Sequence, residues 1–141
     1  MVYVLDTDHV SLLENGHAGC MERLESFEAD QLAITAVTVE ERMQGWLSAI
    51  RRSSAPSQTD RLVWAYVGLR QTVRYVNEFR ILDWSEAAAR QFADWRREGV
   101  RIGTQDLRIA AIAMTIDAVV VTRNQKDFLQ VPGLRIEDWT V

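Results

Sequence analysis

The chain begins with a run of apolar residues that ends abruptly in two carboxylates, and this feature constrains the fold more than any other. The run extends from Val2 to Leu5, and Asp6, Thr7 and Asp8 follow it. A continuous run of β-branched and aromatic residues is typical of a strand that is buried on both faces. In open parallel sheets, ligands bind beyond the carboxyl ends of the strands. We therefore expect this strand at the centre of a sheet, with Asp6 at the edge where ligands bind.

Short apolar segments alternate with helical patterns along the rest of the chain. Further strands are predicted at Leu32–Thr35, Arg80–Asp83, Ala118–Thr122 and Leu134–Ile136. The intervening spacings predict helices, including one at Leu107–Ile116 that is apolar on nearly all sides. This alternation indicates an α/β fold with a central parallel sheet of four to five strands flanked by helices. A chain of 141 residues suits one domain better than two, so we expect a single domain over residues 1–141.

Several helix boundaries are also predicted. We expect Thr7 or Asp8 to cap a first helix that ends before Asn15, and a second helix to run to about Ala29. A third helix starts near Thr38, and the segment 53–57 connects it to a fourth that ends near Asn77. The fourth helix has an apolar stripe: Leu62, Tyr66, Leu69, Val73 and Val76. Because the connection is too short for a domain linker, helices three and four are predicted to form a helical hairpin insertion.

Composition and charge exclude several classes of protein. Hydrophobic residues make up 48% and charged residues 26% of the chain, as in ordinary globular proteins, and no segment is long and apolar enough to span a membrane. The single Cys20 and the early Asp6 favour a reducing, cytoplasmic location. A net charge of −4 argues against non-specific nucleic-acid binding. Several arginines are clustered, so the chain could still have a locally basic surface. A GC-rich genome would produce the same preference for arginine over lysine without any function.

Acidic residues from distant parts of the sequence are predicted to meet at one edge of the sheet. Asp6 closes the first strand, and Glu41 lies near the start of the helix that leaves the second strand. Asp106 starts the helix that runs back before the fourth strand, and Asn124 and Asp127 follow that strand. Each acid taken alone could be a helix cap or a first-turn acid. Folding alone does not require all of these acids to lie at one edge of the sheet.

Carboxylates gathered in this way need a counter-charge. Two carboxylates at close range repel by about 4 kcal/mol at an effective dielectric constant of roughly 20. A hard divalent cation relieves this repulsion, and Mg²⁺, with Mn²⁺ as a substitute, prefers oxygen ligands. His9 and His17 have no partner at a close ligand spacing, so we interpret both as residues of helix surfaces rather than zinc ligands.

Four sequence blocks together resemble the PIN-domain ribonucleases, and within them the VapC toxins of bacterial toxin–antitoxin pairs. The blocks are Leu5-Asp6-Thr7, Thr38-Val39-Glu40-Glu41 with Gly45, Gly103-Thr104-Gln105-Asp106 with Ile109-Ala110-Ala111, and Thr122-Arg123-Asn124 with Asp127-Phe128. Their order along nearly the whole chain makes the resemblance specific, although each block alone is weak. The resemblance implies a single PIN-like domain that hydrolyses RNA phosphodiesters with the help of metal ions.

The resemblance also implies roles for individual residues. Asp6, Glu41 and Asp106 would hold the metal and activate water, Glu41 being preferred over Glu40 because of its spacing from the flanking residues of its block. Asp127 inherits the role of the fourth acid, because position 124, where similar proteins carry that acid, is an asparagine. Four further residues are candidates for supporting roles in the site: Thr7, Asp8, Thr104 and Asn124. Asp8 stands where the family usually has asparagine.

The expected partners are an RNA substrate, a cognate antitoxin protein and a second copy of the chain. Two other functions are compatible with parts of the sequence. The run from Asp6 to Val10 also looks like the nucleophile motif of haloacid-dehalogenase-type phosphatases, in which Asp6 would form a phosphoenzyme. That family needs a lysine and then an acidic pair after a later strand, whereas the only lysine, Lys126, follows Asp106 and precedes only a terminal edge strand. An inactive α/β binding module is the remaining alternative.

Overall fold

The first strand lies at the centre of a five-stranded sheet in the computed structural model, which describes all residues from 1 to 141. The strands are β1 (Tyr3–Leu5), β2 (Leu32–Thr35), β3 (Arg80–Leu82), β4 (Val119–Val121) and β5 (Arg135–Glu137). They are ordered β3-β2-β1-β4-β5, and every neighbouring pair is parallel. The prediction of a central parallel sheet is therefore confirmed, with β3 and β5 as its edges.

Seven helices flank the sheet. They are α1 (Thr7–Glu14), α2 (Ala18–Glu25), α3 (Ala36–Arg52), α4 (Thr59–Val76), α5 (Glu86–Arg97), α6 (Thr104–Thr115) and α7 (Gln125–Phe128). Short 3₁₀ turns occupy Ala29–Gln31 and Pro56–Gln58. None of the helices combines the length and the apolar character that crossing a membrane requires.

Several helix boundaries differ from the predictions. The cap of α1 is Asp6, because Thr7 already lies in the helix and the Asp6 side chain accepts a hydrogen bond from the backbone N–H of His9. Helix α2 ends four residues before Ala29 and is followed by a separate 3₁₀ turn. Helix α3 starts two residues before Thr38, since the hydroxyl of Thr35 caps it. The segment after β4, expected to be a turn, forms the short helix α7.

Two apolar clusters form the core, one on each face of the sheet. Successive residues of β1 contribute to different clusters, Val4 to one and Leu5 to the other, and both are fully buried. The first cluster contains α5 and most of α6, where the residues from Ile109 to Ala113 are buried as the sequence predicts. The second contains α1 and Trp139 near the end of the chain. Burial on both faces explains why β1 carries no polar alternation.

Helices α3 and α4 pack together as the predicted hairpin. The Trp46 ring lies so close to Gly68 that a Cβ atom there would come within 2.3 Å of it, and the indole N–H donates to the hydroxyl of Thr72 at 2.8 Å. Within the apolar stripe of α4, Tyr66 is 56% and Val73 is 38% exposed. The buried face uses small residues instead, since the Trp46 ring already fills the space between the two helices.

Candidate active site

A cavity of about 540 Å³ opens at the carboxyl edge of the sheet, where the sequence predicts the functional residues. Eight residues line it, none of them apolar: Asp6, Thr7, Asp8, Ser11, Glu41, Asp106, Arg123 and Asn124. They come from α1, α3, α6 and the segment that follows β4. Side chains far apart in sequence therefore converge here because parallel strands end at the same edge.

Asp6 is held in one orientation by His9. Its Oδ1 accepts a hydrogen bond from the backbone N–H of His9 at 2.8 Å and lies 3.2 Å from His9 Nδ1. The His9 side chain is fully buried, and its Nε2 accepts from the backbone N–H of Trp139 at 3.3 Å. Because Nε2 accepts, the proton of a neutral imidazole lies on Nδ1 and is donated to Asp6. The expectation that His9 is a surface residue is wrong.

Glu41 is oriented by two threonines. The Thr7 hydroxyl donates to Glu41 Oε1 at 2.7 Å, and the hydroxyl oxygens of Thr7 and Thr38 are 3.0 Å apart. Since Thr7 donates its only proton to Glu41, the hydroxyl of Thr38 donates to Thr7. The neighbouring Glu40 is exposed and instead accepts a hydrogen bond from Gln105 at 2.8 Å. Helix α3 thus directs Glu41 into the acidic cavity and Glu40 away from it.

Asn124 joins two further carboxylates. Its Nδ2 donates to Asp106 Oδ2 at 3.1 Å and to Asp127 Oδ2 at 2.9 Å. Asn124 and Asp106 line the acidic cavity, whereas Asp127 is not among its lining residues. Burial raises the pKa of Asp106, the hydrogen bond from Asn124 lowers it, and the negative charges of Asp6, Glu41 and Asp127 raise it further. The net shift of the pKa is upward, so burial, and to a smaller extent the neighbouring carboxylates, oppose ionisation of Asp106.

Arg123 is the single cationic side chain in the cavity wall. It donates two hydrogen bonds to Asp8, from Nε to Oδ2 at 2.7 Å and from Nη2 to Oδ1 at 2.9 Å. This bidentate contact is the first cause of the raised pKa of Arg123. About half of each side chain is exposed. Asp8, which carries a charge where the resembling family has an amide, therefore has its own counter-charge.

Thr104, a predicted supporting residue, lies outside the cavity lining, whereas Ser11, which was not predicted, belongs to it. Thr104 starts α6, but it is exposed, lies outside the lining of the acidic cavity, and accepts a long hydrogen bond of 3.4 Å from Arg96. Ser11, which the sequence does not single out, lines the cavity and accepts a hydrogen bond from Arg42 at 2.7 Å. Arg42 also forms an ion pair with Glu14.

Comparison with known proteins relates the chain to bacterial nucleases. No family model matches it. It is 28% identical over 142 residues to the tRNA(fMet)-specific endonuclease VapC of Salmonella typhimurium, with 97% of each chain covered. It is 26% identical over 145 residues to Ribonuclease VapC2 of Rickettsia felis, with 99% of this chain and 98% of the relative covered.

Solved structures agree with the sequence relatives. VapBC-1 from nontypeable Haemophilus influenzae matches with a TM-score of 0.79 over 100% of both chains at 24% identity. DNA-bound VapBC from Salmonella typhimurium matches with a TM-score of 0.77 at 25% identity, covering 99% of this chain and 98% of the other. The chain is therefore similar to VapC proteins in both sequence and fold. The resemblance and the PIN-like fold predicted from the four sequence blocks are confirmed.

The donor atoms of the acidic cavity fit a hard divalent cation. Carboxylate, amide and hydroxyl groups line the cavity, and no thiol is among them. Asp6, Asp8 and His9 offer ligand atoms that lie within 4.8 Å of one another. Both ring nitrogens of the buried His9 already have hydrogen-bond partners, however, and Asp8 pairs with Arg123. Asp6, Glu41 and Asp106 are therefore the better oxygen donors for such an ion.

Besides Ser11, sequence reasoning missed two residues of this site, His9 and Arg123. The sequence contains a signal for Arg123, because an additional carboxylate at Asp8 requires a cation nearby. For His9 the signal is weaker, since its position three residues after Asp6 places it on the same side of the first turn of α1. The acceptor that fixes its tautomer depends on Trp139, which lies 130 residues away.

Proposed function

We propose that this protein is a metal-dependent endoribonuclease that hydrolyses RNA phosphodiesters and acts as the toxin of a toxin–antitoxin pair. The observation that carries the proposal is the convergence of Asp6, Glu41 and Asp106 in a polar cavity at the carboxyl edge of the sheet. The relatives named as ribonucleases cover nearly the whole chain, which supports the same function.

Asp6, Glu41 and Asp106 would hold Mg²⁺, with Mn²⁺ as a substitute. The unshared oxygen of Asp6 is suited to this role because both donors from His9 bind the other oxygen, Oδ1. Asp127 completes the proposed catalytic set indirectly, since it shares the amide of Asn124 with Asp106. The elevated pKa of Asp106 supports a cation at this place, because a positive charge would favour the ionised carboxylate.

With a divalent cation bound, the site would supply an activated water and offset the negative charge that develops on the phosphate during hydrolysis. The protein's own residues would orient the participants. Thr7 fixes Glu41, and Asn124 fixes Asp106, so both carboxylates keep their positions when RNA arrives. Helices α1 and α6 begin at the same cavity, and their N-termini favour a bound phosphate.

The phosphatase alternative is not supported. A phosphoenzyme mechanism would need the second acid of the motif, Asp8, as a proton donor and a lysine beside the nucleophile. Asp8 instead makes a bidentate pair with Arg123. Lys126 is exposed and does not line the cavity. An inactive binding module would not require hydrogen bonds that orient Glu41 and Asp106, such as those from Thr7 and Asn124.

Protein partners are proposed on the α3–α4 hairpin. Four apolar residues on the outer side of α4 are more than one-third exposed: Val63, Trp64, Tyr66 and Val67. One solved structure that matches 97% of the chain is a toxin–antitoxin complex from Klebsiella pneumoniae, with a TM-score of 0.71, which supports an antitoxin as one partner. We expect this surface to be covered by the antitoxin or by a second copy of the chain in the cytoplasm. Light scattering that finds a monomer unable to bind the protein encoded next to it would contradict this expectation.

Cleavage of total RNA by the purified protein tests the proposed nuclease activity. We expect cleavage with Mg²⁺ or Mn²⁺ and none with a chelator. Asp6→Asn should reduce the rate by more than about 100-fold, because residues that only support metal ligands already cost roughly 10–100-fold. Asp60→Asn is the matched control, since Asp60 is an exposed carboxylate in the first turn of α4, outside the cavity lining. RNA cleavage that persists in Asp6→Asn, or turnover of a phosphomonoester instead of RNA, would contradict the proposal.

A further inference from the structure

A second cavity, of about 290 Å³, lies beside the acidic one where α3 and α6 meet. Its lining residues are Ala36, Val37, Glu40, Trp84 and Arg108. Two sequence neighbours connect the cavities, because Glu40 precedes Glu41 on α3 and Gln105 precedes Asp106 on α6. Glu40 and Gln105 are hydrogen-bonded to each other at 2.8 Å. A molecule bound in the second cavity would therefore lie next to a molecule bound at the acidic cavity.

One wall of the second cavity is an aromatic ring in a fixed position. Trp84 is 41% exposed although it is a large apolar side chain. Its ring meets the edge of the Phe92 ring, with 5.9 Å between the centroids. The guanidinium groups of Arg96 and Arg108 lie 5.2 and 6.0 Å from the centre of the Phe92 ring. The contact with Phe92 therefore holds the Trp84 indole in place, while part of the indole remains accessible to solvent.

The opposite side of the second cavity offers hydrogen-bonding groups. Arg108 Nη1 donates to Gln105 Oε1 at 2.8 Å, and Gln105 Nε2 donates to Glu40 Oε1 at 2.8 Å. The other N–H groups of Arg108 and Oε2 of Glu40 make no further hydrogen bond within the protein. A planar ligand with both donors and acceptors on its edge could satisfy these groups while stacking on Trp84.

We propose that the second cavity binds a nucleobase of the RNA substrate, adjacent to the phosphate that is cleaved. The inference rests on the ribonuclease function proposed above. Single-stranded RNA is recognised by stacking of splayed bases on aromatic rings and arginine planes, with hydrogen bonds to the base edges. An apolar side chain of a protein partner would fit the cavity less well, because it would leave Oε2 of Glu40 and the remaining N–H groups of Arg108 without partners. The base in this cavity would position the adjoining phosphate at the carboxylates.

Abasic substitution in a short RNA tests this inference. The probe is a fluorescent single-stranded RNA that the wild-type protein cuts at one place, with a series in which one nucleotide at a time lacks its base. We expect one position beside the cut to lose between about 5- and 100-fold in kcat/KM, the range that loss of one base–aromatic stack produces. Trp84→Ala should show that loss on the intact RNA, mainly in KM, and no additional loss on the abasic RNA. Trp84→Phe should retain most of the wild-type rate.

Met21→Ala is the matched control, because Met21 has the same exposed fraction of 41% and lies on α2, outside both cavities. Circular dichroism confirms folding of each variant.

Equal cleavage of all abasic RNAs, or independent losses from Trp84→Ala and the abasic position, would overturn the inference. So would a Trp84→Ala variant that cleaves RNA normally but no longer binds the antitoxin. A wild-type protein that cleaves no RNA would remove the proposed function together with the inference, whereas cleavage without a sensitive position would remove the inference alone.

Discussion

Helix α3 belongs to two regions of the molecule that are stabilised in opposite ways. Near its start, Glu41 faces other carboxylates in the acidic cavity, and their charges contribute to the raised pKa of Asp106. Further along, Trp46 packs against Gly68 and donates a hydrogen bond to Thr72, with no charged partner. Repulsion thus opposes folding in the acidic cavity, while close packing favours it in the hairpin.

Because of this contrast, we expect substitutions in the acidic cavity to affect mainly activity and substitutions in the hairpin to affect mainly stability. Removing a charge from the acidic cavity should reduce activity without unfolding the protein, because the lost group was repelled by its neighbours. Changing the volume of a residue in the hairpin should unfold the protein without altering the chemistry of folded molecules. The following substitutions test these two expectations, beginning with the largest effect.

His9 tests whether the acidic cavity depends on a residue that cannot itself reach the substrate. His9→Ala removes the side-chain donor to Asp6 Oδ1 and the acceptor for the backbone N–H of Trp139. We expect Mn²⁺ affinity, measured by calorimetry, to fall by roughly 10–100-fold, as for other residues that orient metal ligands. His9→Asn retains an N–H donor and should recover part of this affinity.

The control for His9 is His17→Ala, which removes a helix cap outside the acidic cavity. His17 Nδ1 accepts from the backbone N–H of Cys20 at 3.1 Å, so its loss should cost stability of about 1 kcal/mol but no metal affinity. If His9→Ala bound Mn²⁺ as tightly as the wild type and only unfolded at a lower temperature, His9 would have a purely structural role.

Gly68 tests the packing of the hairpin. In Gly68→Ala the new methyl group would overlap the Trp46 ring, and overpacking of this kind costs about 1–3 kcal/mol of stability. We expect the Tm to fall by several degrees, with RNA cleavage per folded molecule unchanged at low temperature.

The matched control is Gly45→Ala in α3, where nothing lies within 4 Å of the added Cβ atom. Alanine there should raise stability by roughly 0.5–1 kcal/mol because it restricts the unfolded chain. Equal effects at the two glycines would contradict the packing explanation.

The sequence predicts those parts of the molecule that depend on local pattern. The strands β1, β2 and β4 are recognisable because each lies in a short apolar run, and the direction of the strands places Asp6, Glu41 and Asp106 at one edge. The resemblance to PIN-domain proteins implies the choice of Glu41 over Glu40, through its spacing from Thr38 and Gly45, and Glu41 lines the acidic cavity in the structure.

Features that depend on distant partners could not be predicted in this way. The burial of His9 requires Trp139, and the pairing of Asp8 requires Arg123, 115 residues away. On α4 the apolar stripe does not coincide with the buried face, because the bulk of Trp46 on the partner helix selects small residues there. A single helix carries no information about the volume of the side chain that packs against it.

The smallest effect concerns the stability of the metal-free protein. Burial and neighbouring carboxylates raise the pKa of Asp106, so the folded protein binds a proton there more tightly than the unfolded chain does. Stability must therefore fall as the pH rises through the interval between the ordinary and the raised pKa, and the whole penalty is present above it. Asp106→Asn removes this penalty at pH 7. We expect a small rise in the Tm measured by circular dichroism in a chelator, and no difference from the wild type at a pH below the ordinary pKa.

Asp60→Asn provides a control of opposite sign for this last substitution. Asp60 is also a first-turn acid, but it is exposed, so its loss should lower stability slightly, by about 0.3–1 kcal/mol, through the helix dipole alone. With saturating Mg²⁺ the order of wild type and Asp106→Asn should reverse, because only the wild type keeps all its carboxylate ligands and gains stability from binding. An Asp106→Asn variant that is less stable than the wild type in chelator at pH 7 would show that packing or the helix dipole, rather than repulsion, dominates at the acidic cavity.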